Sequence, residues 1–336
     1  MSVQLTIIGL GQLGSSIGMA LEKHKKILKR IGNDKKFEVA RAAQARGAVD
    51  EVKVNLPSAV REAGIVLLCT PMSEMRETLE LIGPDLQEGA VVIDMAPVKE
   101  RVAGWASEFI PAGRYHVGLV PGINPEALAA SEAGPEAARA DLFERSIMMV
   151  TVPKGTPSEV VDLALDFAGL LGAKPMLTDV MEADGLMTSA QLLPQLASAA
   201  LLNATVDKPG WLEIRKLAGQ AYASASGGLG SGQDPASLQT AAFSNRDNVV
   251  RALDGYIEAL RDLRDGIEQA NEKAVSKHLE HAFEGHERWL AERASATWLK
   301  EGQEERSDLP TFGERVQHIF LGGTAAERLK ARNRKK

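Results

Sequence analysis

Cysteine is almost missing from this chain. The one thiol, Cys69, excludes a disulfide framework and fits a reducing compartment. It follows the apolar run Ile65-Val66-Leu67-Leu68, which points to a buried structural thiol. Positive charge is not in excess: 39 basic against 45 acidic residues give a net charge of −6, which argues against a nucleic-acid-binding face. No run approaches the roughly 20 apolar residues of a membrane span. The N-terminus enters a strand directly, without a charged leader and cleavage site, so a cytoplasmic location without membrane attachment is expected. What remains is an ordinary globular composition over 336 residues, too long for one core and suggesting two domains.

The first half alternates short apolar runs with helical patterns. Strands are expected at Val3–Ile8, Ile27–Gly32, Ile65–Thr70, Val91–Asp94 and Ile147–Val152, with a last short one at Ala173–Thr178. Helices are expected at Ser15–His24, Lys36–Arg46, Glu74–Leu81 and Ser158–Leu171. This alternation implies βαβ units in a doubly wound, mostly parallel Rossmann-type sheet. From Asp179 onward the chain reads as all helical. Asp179 with Glu182 resembles a capping box opening one long helix to Val206, and Ala242–Ala270 and Glu272–Leu299 are two more. Ser226–Asp234 is a glycine-rich loop by composition. The expected organisation is a dinucleotide-binding domain over 1–155, extending to about 178, and a helical substrate and dimerisation domain over 179–320. A basic disordered tail over 321–336 follows, with six basic residues from Arg328 to Lys336.

Gly9-Leu10-Gly11-Gln12-Leu13-Gly14 follows the first strand and opens a helix, the context a dinucleotide fingerprint demands. The first glycine permits the turn, the second lets backbone approach the pyrophosphate, and the third packs helix on strand. Asp34 lies at the end of the second strand, where a carboxylate accepts hydrogen bonds from ribose hydroxyls and repels a 2′-phosphate. NAD is therefore the expected cofactor, with NADP kept open by the adjacent Lys35 and Lys36. Thr70-Pro71 ends an apolar strand on the carboxyl edge of the sheet and is expected to border the nicotinamide ribose.

The chain resembles the prephenate and arogenate dehydrogenase family of tyrosine biosynthesis in IIGLGQLGSSIGMAL, IVLLCTP and VVIDMAPVK. Later segments agree too: Glu182-Ala183-Asp184, Leu193-Pro194 and Asn245-Arg246-Asp247, so that the likeness spans about residues 4–262. The resemblance implies an NAD(P)-dependent oxidative decarboxylase, with a histidine as base and a homodimer formed through the helical domain. Carried over residue by residue, it breaks down at the substrate. The serine of the family's G-S segment falls on Pro97 and the catalytic histidine on Val120. Three further histidines fall on Ala183, Leu192 and Gln195, and the carboxylate-binding arginine falls near Gly227, by Tyr222-Ala223-Ser224. Lys99 alone survives among the pocket's polar residues. Valine cannot act as a base, a loss of roughly 10²–10⁴ in rate.

Candidate replacements follow from position. His116, four residues before Val120, is the candidate base, against a structural role. Gln191 and Gln195 share a helix face and either hydrogen-bond a polar substrate or line a helix interface. Asp184 is expected to be an exposed carboxylate favoured by a helix dipole. His278, His281 and His286 sit in a charged helical stretch without a metal-site spacing, so no metal is expected. Trp289 and Trp298 are expected to pack against a partner helix or a dimer mate. The expectation is an NAD(P)-dependent oxidoreductase of this group acting on a small hydroxy or carboxylic substrate other than, or besides, prephenate. A 3-hydroxyisobutyrate-type dehydrogenase would need a lysine on the interdomain helix, and Met187–Asn203 has none. A non-catalytic dinucleotide-binding protein is the remaining alternative.

Overall fold

A computed structural model describes residues 2–128, 134–230, 234–296 and 299. Eight strands form one sheet: β1 (Val3–Ile8), β2 (Leu28–Asn33), β3 (Glu51–Val52), β4 (Ala63–Leu68), β5 (Val91–Asp94), β6 (Tyr115–Pro121), β7 (Ile147–Thr151) and β8 (Lys174–Leu177). Their order is β3-β2-β1-β4-β5-β6-β7-β8, and β6 with β7 is the antiparallel pair. The order reverses between β1 and β4. Open α/β sheets bind ligands at the carboxyl ends beside such a switch point.

Six helices cover the sheet: α1 (Gln12–Ala20), α2 (Phe37–Ala45), α3 (Leu56–Val60), α4 (Met72–Ile82), α5 (Lys99–Phe109) and α6 (Ser158–Leu170). On one face Leu5, Ile7, Ile17, Leu163 and Phe167 form a fully buried core, and on the other Val66, Leu68, Met75, Leu79 and Val102 do the same. Strands buried on both faces need no alternation, which explains the continuous apolar runs. The helical half comprises α7 (Val180–Met187), α8 (Leu193–Thr205), α9 (Trp211–Leu217), α10 (Gln220–Ser226), α11 (Pro235–Ser244), α12 (Arg246–Glu268) and α13 (Glu272–Ser295). Leu192, Ala241 and Val249 from this half enter the second core, so the two halves share apolar packing.

Several expectations change in the fold. The single helix read from Asp179 to Val206 is interrupted by a π-helical turn at Thr188–Leu192, just before Pro194. Proline has no N–H to donate to residue i−4 and is tolerated only near a helix start, so the chain restarts there. The buried Asn245 side chain closes this turn, donating to the Asp184 carbonyl at 2.9 Å and to Thr188 Oγ1 at 2.7 Å. Asn245 also divides the expected Ala242–Ala270 helix, with φ −123° and ψ 40° between α11 and α12. Helix α1 starts at Gln12 rather than Ser15, within the glycine turn itself. Helix α5 and strand β6 escaped the sequence pattern altogether. Asp179 caps α7 through the Met181 N–H at 2.9 Å. The tail over 321–336, Trp298 and residues 231–233 of the glycine-rich loop lie outside the described residues.

Candidate active site

The glycine turn sits at the carboxyl end of β1. Gly9 has φ +89°, and a Cβ there would meet the Cys69 carbonyl oxygen at 2.6 Å. A Cβ on Gly14 would collide with the Gly9 carbonyl, so α1 rests directly on the turn. Gly11 differs, because a Cβ there would meet no atom of the described residues within 4 Å. It faces open space, as backbone approached by a ligand must. Helix α1 begins with neither a side-chain cap nor an acidic residue in its first turn. Its first amides are thus left for an anion, and the helix dipole favours one there.

Asp34 closes the turn from the side. Its Oδ2 accepts the Leu10 N–H at 2.8 Å and its Oδ1 accepts the Lys36 N–H at 2.9 Å. Gln12 donates to the Ala137 carbonyl at 3.3 Å, and Leu13 packs against the first core. A cleft of about 1080 Å³ opens here. It runs from Asp34, Phe37 and Leu56 past Gly9, Gly11, Thr70 and Pro71 to Met95, Ala96 and Pro97. Helix α11, the π turn and the first turn of α8 form its far wall, contributing Ser237, Leu238, Gln191 and Gln195. Ser237 Oγ lies 3.0 Å from Ser73 Oγ on α4, linking that wall to the nucleotide half. The turn, the uncapped helix and the fixed carboxylate together fit a dinucleotide.

Beneath the inner end of the cleft lies a buried ionic network. Asp94, at the end of β5, is fully buried. Its Oδ1 accepts the Ala96 N–H at 2.9 Å and Lys99 Nζ at 2.7 Å, and its Oδ2 lies 2.8 Å from His116 Nε2. Lys99 Nζ also donates to the carbonyls of Asp94 at 3.2 Å and Leu119 at 2.7 Å. Burial alone would raise the Asp94 pKa. The Lys99 ammonium and the His116 hydrogen bond outweigh it and hold the carboxyl below its usual range. Gly118 makes room for this arrangement, since a Cβ there would collide with Lys99 Cδ and Thr151 Oγ1.

The candidate residues therefore separate into two groups. Pro97, Gln191 and Gln195 line the cleft, together with Gly9, Gly11, Asp34, Thr70 and Pro71. Lys99 is 1% exposed and spends its ammonium on the network below, not on the cleft. His116 sits at the second position of β6, opposite Val92 and away from the carboxyl edge; its Nδ1 is buried without a partner among the described residues. Val120 is buried against Met149 and Ala183 in a small apolar cluster flanked by Met187. Two positions that the family resemblance assigns to histidines, Val120 and Ala183, thus share one apolar contact. Gln195 is 8% exposed, and neither it nor Gln191 makes a side-chain hydrogen bond among the described residues.

Asp184 departs from its expected exposed place. It is buried and accepts the Lys99 N–H at 2.5 Å and the Glu100 N–H at 3.1 Å, capping α5 rather than its own helix. Burial pushes its pKa up, against the pull of those two amides. His278, His281 and His286 are exposed along α13, and no cluster of metal-ligating side chains occurs among the described residues. The sequence reading did not single out Asp94 or Ser237. A carboxylate ending an otherwise apolar strand is the signal that marks Asp94, because a buried charge requires a partner.

The family model for the prephenate dehydrogenase nucleotide-binding domain matches residues 17–177, and that for the prephenate dehydrogenase dimerization domain matches 180–281. The chain belongs to the prephenate dehydrogenase family. Among curated relatives, Bacillus subtilis prephenate dehydrogenase is 24% identical over 83% of this chain and 74% of its own. The Zymomonas mobilis cyclohexadienyl dehydrogenase is 25% identical over 83% of this chain and 93% of its own. Among solved structures, prephenate dehydrogenase from A. aeolicus in complex with hydroxyphenyl propionate and NAD+ superposes with a TM-score of 0.73. It shares 20% identity over 86% of this chain and 98% of its own, and so shows a common fold. No helix among the described residues is long and apolar enough to cross a membrane.

Proposed function

We propose that the chain is an NAD-dependent dehydrogenase whose substrate is a small hydroxy or carboxylic compound other than prephenate. The observation that carries the cofactor half is Gly11, whose open flank faces the cleft between an uncapped helix and the anchored Asp34. NAD, when bound, supplies the hydride acceptor. The first amides of α1 would hold its pyrophosphate, Asp34 its adenosine ribose, and Thr70 and Pro71 would border the nicotinamide ribose. Gln191 and Gln195 would orient the substrate with amide groups that have no hydrogen-bond partner among the described residues, while Met95 and Leu192 exclude water.

The substrate half is proposed to differ because Pro97, Val120 and Ala183 hold no proton-transfer group. Homodimerisation through the helical half is proposed from the family's dimerization domain and from exposed Ile257, Leu260, Phe283 and Trp289 on α12 and α13. A dinucleotide-binding protein without turnover is the competing reading, favoured by the absence of histidine among the described cleft residues. Calorimetry with NAD, followed by assays of prephenate and arogenate, tests the proposal. Saturable NAD binding with little turnover of either acid is expected. Full prephenate dehydrogenase activity in the unmodified protein contradicts the substrate half.

A further inference from the structure

At the outer end of the cleft, Asp34, Glu74 and Glu77 share the rim with Lys35 and Lys36. The Asp34 carboxylate is immobilised between two backbone N–H groups, from Leu10 and Lys36. Lys35 reaches from the β2–α2 turn to Glu74 in the first turn of α4, with Nζ 2.9 Å from Oε1. The Glu74 hydrogen bond and the nearby Glu77 charge both favour its protonated form. Lys36 Nζ has no ion-pair partner among the described residues.

A 2′-phosphate brings about −1.5 to −2 charge at neutral pH. It would enter beside a fixed carboxylate on a rim already richer in carboxylates than in ammonium groups. The cation that follows Asp34 directly is committed elsewhere. We propose that Glu74 governs the choice of dinucleotide: by holding Lys35 across the cleft, it withdraws the cation that would receive a 2′-phosphate. The rim therefore selects the unphosphorylated adenosine ribose. Glu74 acts through Lys35 and is a positioning residue. Because both side chains reach solvent, the effect is moderate and falls with ionic strength. This inference rests on the dinucleotide reading above.

Calorimetric titration of the full-length protein with NAD and with NADP, at low salt, tests it without any need for turnover. The unmodified protein should bind NAD more tightly, by about tenfold or more. Glu74→Gln should tighten NADP about three- to tenfold and leave NAD within about twofold. Glu74→Asp should restore the original ratio. Adding Lys35→Ala to Glu74→Gln should abolish the gain, whereas adding Lys36→Ala should not. The proposal is overturned if Glu74→Gln leaves the ratio unchanged or weakens both nucleotides together. It is equally overturned if the gain survives loss of Lys35. Failure of the unmodified protein to bind either nucleotide overturns the dinucleotide reading as well, whereas NAD binding with an unmoved ratio overturns only the role of Glu74.

Discussion

The two ends of the cleft are built from different materials. The outer end rests on backbone: Gly9 and Gly14 with no space for a Cβ, free helix amides, and a carboxylate clamped by two N–H groups. The inner end rests on side chains: Pro97 and Gln195 line it, and Val120 and Ala183 pack in a buried apolar cluster, all four at positions that the family resemblance aligns with a serine or histidines. A site made of backbone tolerates little change, because one added methyl group meets a carbonyl. A site made of side chains can be rewritten one residue at a time on an unchanged frame. Fold and cofactor end thus persist where the chemistry at the other end is open to change.

Substitutions at the two ends should therefore fail in different ways. Gly14→Val should be the most severe, destabilising by about 4–5 kcal/mol or leaving no folded protein, since the added carbons overlap the Gly9 carbonyl. Thermal melts check this. Lys99→Met removes the partner of a fully buried carboxylate and should cost about 3–5 kcal/mol at neutral pH. The pH dependence follows from Asp94. Its folded pKa lies below the ordinary 3.8, so its contribution is complete above that value and fades as pH falls through the folded pKa. In Lys99→Met the same carboxyl can take a proton instead, so the gap between variant and parent should narrow below about pH 4. Denaturant unfolding at a series of pH values measures that gap, and a constant gap would mean that the Asp94–Lys99 pair is not its source.

Val120→His tests the inner end. A lone imidazole placed against Met149 and Ala183 should destabilise by about 1–3 kcal/mol and restore no prephenate turnover. Activity gained from this single change would show that the rest of the substrate site is intact. The smallest expected effect is Gln195→Leu, which removes one neutral hydrogen-bonding group, about 0.5–1.5 kcal/mol. It should lower turnover of the true substrate several-fold while NAD affinity stays unchanged. Equal loss of both would place Gln195 in the cofactor site.

The same division explains what could be read from the amino-acid sequence. Strands covered on both faces leave uninterrupted apolar runs, so β1, β4 and β5 were legible along with the glycine turn. Helix α5 was not: it opens without its own cap, and the carboxylate that serves it, Asp184, arrives from α7, more than eighty residues away. The π turn was equally hidden. Its stabilising partner, Asn245, lies on another helix boundary, and the local pattern remains helical throughout. Lys99, read as a pocket residue from its motif, is drawn below the cleft by Asp94 and Leu119, contacts that no spacing encodes. His116 and Val120 share one strand face four residues apart, yet one joins the ionic network and the other an apolar cluster.

The most direct measurement is a two-stage calorimetric titration of the unmodified protein, first with NAD and then, at saturation, with prephenate. Saturable heat with NAD and none with prephenate is the expected result for an intact nucleotide end joined to a rewritten substrate end. No saturable heat with NAD, or tight binding of prephenate to the NAD-saturated protein, would contradict it.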